Sequence, residues 1–180
     1  FGCSHCRECQ PQAFVRQQNA ALQIQPHHRH PLTYIMEAAD DISYCLADIE
    51  DAVEKDILSL EEVAALLKQQ FAACYPNLPV EQLPPLTGLA GKTQSFQQMV
   101  DDVLSKADRK DSNRIYEFFI GLRVKMIHPL VQHAASQFVQ HIEDIYHGRF
   151  NRALLEDDSP YHAITKTFKA VALQPVFNHK

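Results

Sequence analysis

Asp40, Tyr44 and Asp48 combine useful side-chain chemistry with helical spacing in the segment Glu37-Ala-Ala-Asp-Asp-Ile-Ser-Tyr-Cys-Leu-Ala-Asp48. Each step of four residues turns a helix by about 400° and lifts it by about 6 Å, so the three lie on one slowly drifting stripe roughly 12 Å long. That length is comparable to the distance from a phosphate-bound metal across a nucleotide sugar. A carboxylate suits Mg²⁺ or Mn²⁺, a tyrosine ring can pack on a sugar face, and a second carboxylate can accept a hydrogen bond from a sugar hydroxyl. Aspartate is a poor interior helix former, and its cost is tolerated more readily where the carboxylate has a function or a partner. The competing reading of the same spacing is a solvated acidic helix face.

A helix must carry the stripe. Pro31 suits a first turn, where its missing N–H costs nothing, and His30 is placed to cap that turn. Ile35, Ala38, Ala39, Ile42, Cys45, Leu46, Ile49 and Val53 then recur at helical spacing. Ser59 followed by Glu62 is a capping-box signature; it opens a second helix that Pro76 ends. Prolines and glycines between 76 and 91 predict a loop. A third helix is expected over 93–107. A fourth is expected over 113–146, kinked or split near His128 by Pro129, with Gly148 as its C-terminal stop. Ser159-Pro160 opens a last helix over 160–172. No stretch alternates convincingly as a strand does. The expected class is all-α, with residues 1–30 an irregular segment bearing Cys and His and residues 31–180 a helical domain.

Composition agrees with one folded domain: 180 residues, 46% of them apolar, only 5 glycines and no tryptophan. No run approaches the ~18 apolar residues of a membrane span, and no signal peptide is visible, although the chain starts at Phe rather than Met. The net charge of −5 and the lack of a basic block do not suggest a nucleic-acid partner. Five cysteines is an odd count. Cys45 and Cys74 fall in helical apolar patterns and read as reduced core residues, which predicts a reducing, cytoplasmic setting.

Several weaker patterns carry less. Cys3, Cys6 and Cys9 with His5 between them invite a zinc or iron–sulfur reading, but a structural zinc wants four ligands and no second pair follows. His27, His28, Arg29 and His30 read as polar residues before a helix rather than a metal tract. Gly88-Leu-Ala-Gly91-Lys92-Thr93 has two residues between its glycines where a phosphate loop needs four. Arg109, Lys110 and Arg114 read as solvated surface. Arg123 faces either a nucleotide phosphate or a helix acid.

The run RHPLTYIMEAADDISYCLADIEDAVEK resembles the last motif helix of bacterial dGTP triphosphohydrolases of the HD-domain superfamily, and the likeness continues through LRVKMIHPLVQHAA and FNRALLEDDSPYHAITKTFKAVALQPVF. It covers most of residues 29–178 and is weakest in the middle third. The resemblance implies a helical, bundle-like C-terminal portion of an HD-type domain. It implies an enzyme that hydrolyses dGTP or another dNTP to a deoxynucleoside and inorganic triphosphate, using a divalent metal, Mg²⁺ or Mn²⁺, that activates water. Asp40 takes the role of the last metal ligand, Tyr44 packs on the deoxyribose and so disfavours a ribose hydroxyl, and Asp48 contacts the 3′-hydroxyl. Asp41, about 100° away around the helix, reads as a structural neighbour. Homo-oligomers are implied too, and the apolar face of the first long helix is expected to be partly uncovered without the family's preceding helices.

One departure is large. No His-Asp pair occurs anywhere in the sequence, so the family's other metal ligands, catalytic residues and basic phosphate contacts are missing from it. The chain is therefore expected to be a fragment with no catalytic residue of its own, inactive alone. The alternative is a non-catalytic remnant serving as an interaction or nucleotide-binding module.

Overall fold

In the computed structural model the described residues are 29–87, 93–109 and 113–178, without the side chains of Cys45 and of 174–178. The readings of Cys3, Cys6, Cys9, His5, His27, His28, Gly88, Gly91, Lys92, Lys110 and the Cys45 side chain lie outside them. So does the irregular N-terminal segment apart from Arg29 and His30.

The first helix, α1, spans Pro31–Glu54. Its start is the expected one: Nδ1 of His30 accepts the N–H of Leu32 at 3.2 Å, and Pro31 occupies the first turn. Tyr34, Ala38, Ile42, Leu46, Ile49 and Val53 are buried. Ile35 and Ala39, at the same helical spacing, lie on an exposed flank, the part of the apolar face expected to be uncovered. The Tyr34 ring turns inward, because its hydroxyl finds a partner in the carbonyl of Phe150 and its edge meets the Phe150 ring at 5.6 Å. The helix closes with a Schellman motif. Asp56 sits in the left-handed region at φ 54°, its N–H reaches the Val53 carbonyl, and the N–H of Ile57 reaches that of Ala52 at 2.9 Å.

The α2 helix, Leu60–Ala73, begins with the anticipated Ser59–Glu62 capping box. A 3-10 turn, Val80–Gln82, follows. Leu86–Thr87 (β1) and Thr93–Gln94 (β2) form a two-residue antiparallel ladder, with Leu86 opposite Gln94; it is too short for an alternating pattern to announce it. The third helix, α3, spans Phe96–Asp108 and starts three residues later than expected. Ser95 caps it with Gln98 in a second capping box, while Thr93 and Gln94 are engaged in the ladder.

The α4 helix runs without a break over Arg114–Gln140, with the buried Pro129 inside it. The helix ends at His141, not at Pro129, so the expected split lies 12 residues further on. The short α5, Ile142–Tyr146, stops where Gly148 takes φ 69°. The N–H of Gly148 bonds the Ile145 carbonyl and that of Arg149 the Asp144 carbonyl, a second Schellman closure. The last helix, α6, spans Pro160–Asn178, six residues beyond its expected end.

The five long helices close into a ring. α1 packs on α4 and α6, α6 on α2, α2 on α3, and α3 on α4. Inside lie Phe71, Phe96, Phe118, Phe119, Leu122 and Phe168, all fully buried, with Phe71 stacked on Phe96 at 4.4 Å. The all-α reading holds. Among the described residues no helix is long and apolar enough to cross a membrane. Leu32, Ile35 and Met36 on α1 and Val131 and Val139 on α4 are exposed, and an apolar groove of about 270 Å³ runs between the two helices.

The α3–α4 contact is tightest at Gly121, where an added Cβ would stand 2.7 Å from Cγ1 of the buried Val103. Overpacking a core costs about 1–3 kcal/mol, against about 1 kcal/mol of helix propensity gained when Gly becomes Ala. Gly121→Ala is expected to lower stability by about 1 kcal/mol in urea unfolding, and adding Val103→Ala is expected to remove the clash though not the cost of the lost methyls. A Gly121→Ala protein more stable than the parent would show that the helices part freely here.

Candidate functional site

α1 turns its apolar residues inward, and the stripe of Asp40, Tyr44 and Asp48 lies roughly 150° around the helix from the mean direction of that core face. All three are exposed, Tyr44 to 64%. They line one open groove of about 570 Å³ between α1 and α6, opposite Lys169, Ala172 and Leu173. Ile57 closes one end, brought there by the Schellman turn at Asp56. The juxtaposition expected from the spacing is present, and the groove supplies an opposite wall that the spacing did not reveal.

The pairing of the acids sorts them. Glu37 bonds Arg29, Asp41 bonds Lys169 at 2.8 Å, Glu50 takes a two-pronged contact from Arg123, and Asp51 bonds Lys55 at 2.8 Å. Asp40 and Asp48 have no ion-pair or hydrogen-bond partner among the described residues. Of the two partners read for Arg123, the one it meets here is a helix acid, Glu50. Arg114, read as solvated surface, instead ties Glu61 to Asp108. These bonds raise the guanidinium pKa further and draw that of Glu61 down. Asp41 is engaged with Lys169, a partner 128 residues away that no local pattern could indicate.

A polar cluster holds the start of α6, and with it the second wall. The Oγ of Ser159 accepts the N–H of His162 at 3.4 Å, capping the helix. Asp157 accepts the Ser159 hydroxyl, the Ser159 N–H at 3.1 Å and His133 Nε2 at 2.7 Å. The Tyr161 ring stacks on His133 at 4.6 Å. The Ser159 hydroxyl is directed to a carboxylate and serves a helix cap, so these residues join α4 to α6 rather than forming a nucleophile. Burial pushes the Asp157 carboxyl up, but the bonds from Ser159 and His133 outweigh it and hold the pKa below its ordinary value.

A metal is tested here by the donors present. Among the described residues no three His, Cys, Asp or Glu side chains come together as a metal site would need. Asp40 stands alone at its end of the stripe once Asp41 is engaged with Lys169. The donor set of these residues by itself does not fit a resident divalent ion.

Fold and site define a helical bundle with an acidic groove between its first and last helices. No protein-family model matches the chain. It is 52% identical over 169 residues to the probable deoxyguanosinetriphosphate triphosphohydrolase of Pseudomonas aeruginosa, a match covering 93% of this chain and 32% of that protein. The deoxyguanosinetriphosphate triphosphohydrolase of Serratia proteamaculans is 41% identical over 170 residues, and that of Yersinia pestis 39% over 168, each matched over 30% of its length. The chain is thus homologous to a segment of bacterial deoxyguanosinetriphosphate triphosphohydrolases and spans about a third of the length of the curated relatives it matches.

The lowered Asp157 pKa fixes the sign of a pH effect. Its stabilisation is fully present above the unfolded carboxylate pKa and is lost as the pH falls through the folded value. Asp157→Asn is therefore expected to lower the melting temperature at pH 7, with the gap to the parent closing as the pH drops below about 4. A gap independent of pH would mean that the charge of Asp157 contributes nothing.

Proposed function

We propose that this chain supplies one wall of the nucleotide site of a metal-dependent deoxynucleoside triphosphate triphosphohydrolase, with dGTP the leading substrate. The observation that carries the reading is the stripe itself. Asp40 and Asp48 lack partners among the described residues while Glu37, Asp41, Glu50 and Asp51 around them are all paired, and Tyr44 stands between them, exposed in the groove. Support comes also from the names of relatives 39–52% identical over more than nine-tenths of the chain.

In this reading Asp40 gives one ligand to a Mg²⁺ or Mn²⁺ ion whose other ligands come from outside this chain. The ion supplies activation of water and stabilisation of phosphoryl charge. Tyr44 offers its ring to the deoxyribose, and Asp48 accepts the hydrogen bond of the 3′-hydroxyl. The product pair is a deoxynucleoside and inorganic triphosphate. The setting is cytoplasmic, and the protein assembles as a homo-oligomer. A second reading is a non-catalytic nucleotide-binding or interaction module that uses the same groove.

Two measurements separate these readings. The purified 180-residue chain, given dGTP and Mn²⁺, is expected to release no inorganic triphosphate; release abolished by Asp40→Ala would show that the chain carries a complete metal site. Exchanged for the matching segment of the Pseudomonas aeruginosa relative, the chain is expected to sustain dGTP hydrolysis. In that chimera Asp40→Ala is expected to cut turnover by more than about 100-fold, and full activity at ordinary Mn²⁺ concentration would remove Asp40 from the site. Tyr44→Ala in the same chimera is expected to narrow the preference for dGTP over GTP; an unchanged ratio would take the tyrosine away from the sugar.

A further inference from the structure

The groove between α1 and α6 is lined by four acids, Asp40, Asp41, Asp48 and Asp51, and two cations, Lys55 and Lys169. A nucleoside triphosphate entering it brings several further negative charges, which such a wall repels unless a cation stands at the phosphate end. The two lysines are not equivalent in position. Lys55 belongs to the far end of α1, one turn from its partner Asp51. Lys169 comes from α6 to the side chain next to Asp40, the end of the stripe assigned to phosphate.

We infer that Lys169 is the phosphate-contacting residue of this groove, paired with Asp41 as seen here and exchanging that carboxylate for a phosphate oxygen when a nucleoside triphosphate binds. The inference rests on the nucleotide reading of the groove. Three features support the exchange. The Lys169 side chain is 53% exposed and open to a ligand. Its ammonium is a mobile point charge on a four-carbon stem with three donors, and an ion pair of such exposure holds its partner weakly. The pair is also not needed to seat α6, because Ile164, Phe168 and Val171 on the same helix are fully buried in the core. The other cation that the sequence offered for a phosphate, Arg123, is committed to Glu50 on both of its terminal nitrogens. Asp41 then keeps the amine beside Asp40 and offsets its charge until phosphate replaces it.

The test compares dGTP with deoxyguanosine, which presents the same sugar and base without phosphate. Each is titrated into the full 180-residue chain without added metal, and the Tyr44 ring and Leu173 methyl resonances are followed by NMR. The expected result is that Lys169→Met weakens dGTP by about 10- to 100-fold, the size of one charge-assisted hydrogen bond, and leaves deoxyguanosine unchanged. Lys169→Arg should restore most of the dGTP affinity, and Asp41→Asn, which frees the amine, should leave dGTP binding equal or tighter. Unchanged dGTP affinity in Lys169→Met overturns the inference. So does equal weakening of both ligands, or a loss in Asp41→Asn matching that in Lys169→Met, since either marks a structural clamp. If neither ligand shifts Tyr44 or Leu173 in the parent chain, the nucleotide reading of the groove fails, and the inference falls with it.

Discussion

The arrangement depends on how α1 divides its circumference. Seven residues from Tyr34 to Val53 take one side into the ring of helices, and apolar burial of about 25 cal/mol per Å² fixes that orientation against any competing one. A rotation of the helix by one residue, about 100°, would pull Leu46 and Ile49 from the core and bury Asp41 among apolar neighbours. The exposed stripe is thus oriented by residues that take no part in it. Its opposite wall is positioned in the same way, because Phe168 and Val171 anchor α6 in the core while Lys169 and Leu173 reach the groove.

Charge then refines what packing has positioned. α1 is crowded with acids, and three of them are neutralised by a cation from another helix or from one turn away: Arg123 from α4, Lys169 from α6, Lys55 from the helix end. The exposed pair of Lys55 with Asp51 contributes little stability. The larger effect of these pairs is selective. By engaging the neighbouring carboxylates they leave Asp40 and Asp48 as the groove acids without a partner among the described residues. Two adjacent aspartates of identical chemistry become different groups through one lysine.

Features set by local chemistry were legible in the sequence. The His30–Pro31 start, the Ser59–Glu62 box, the stop at Gly148 and the Ser159 cap each depend on residues within four positions of one another, and so did the placing of the stripe on one face. Features set by distant contacts were not. Pro129 breaks helices in isolation, yet here its ring is buried in the contact of α4 with its neighbours and the helix runs through it. The start of α3 was misplaced because Thr93 and Gln94 pair with Leu86 and Thr87. The identity of the groove's second wall, and which acids are paired, depend on separations of 73 and 128 residues. No period or motif encodes such a match.

The closing contact of the ring has a temporal side. Tyr34, near the start of α1, is bonded to the carbonyl of Phe150, and α1 also packs against α6, which begins only at Pro160. During synthesis the first long helix therefore emerges well before its neighbours exist. At about 5–20 residues per second the contacts that α4 and then α6 make with it are completed only on the order of ten seconds later, as the last helix leaves the ribosome. Chaperone occupancy during translation should accordingly peak on the segment that bears the stripe. The same topology makes premature termination costly: a chain ending before Pro160 would lose the second wall of the groove and part of the cover of its own first helix together.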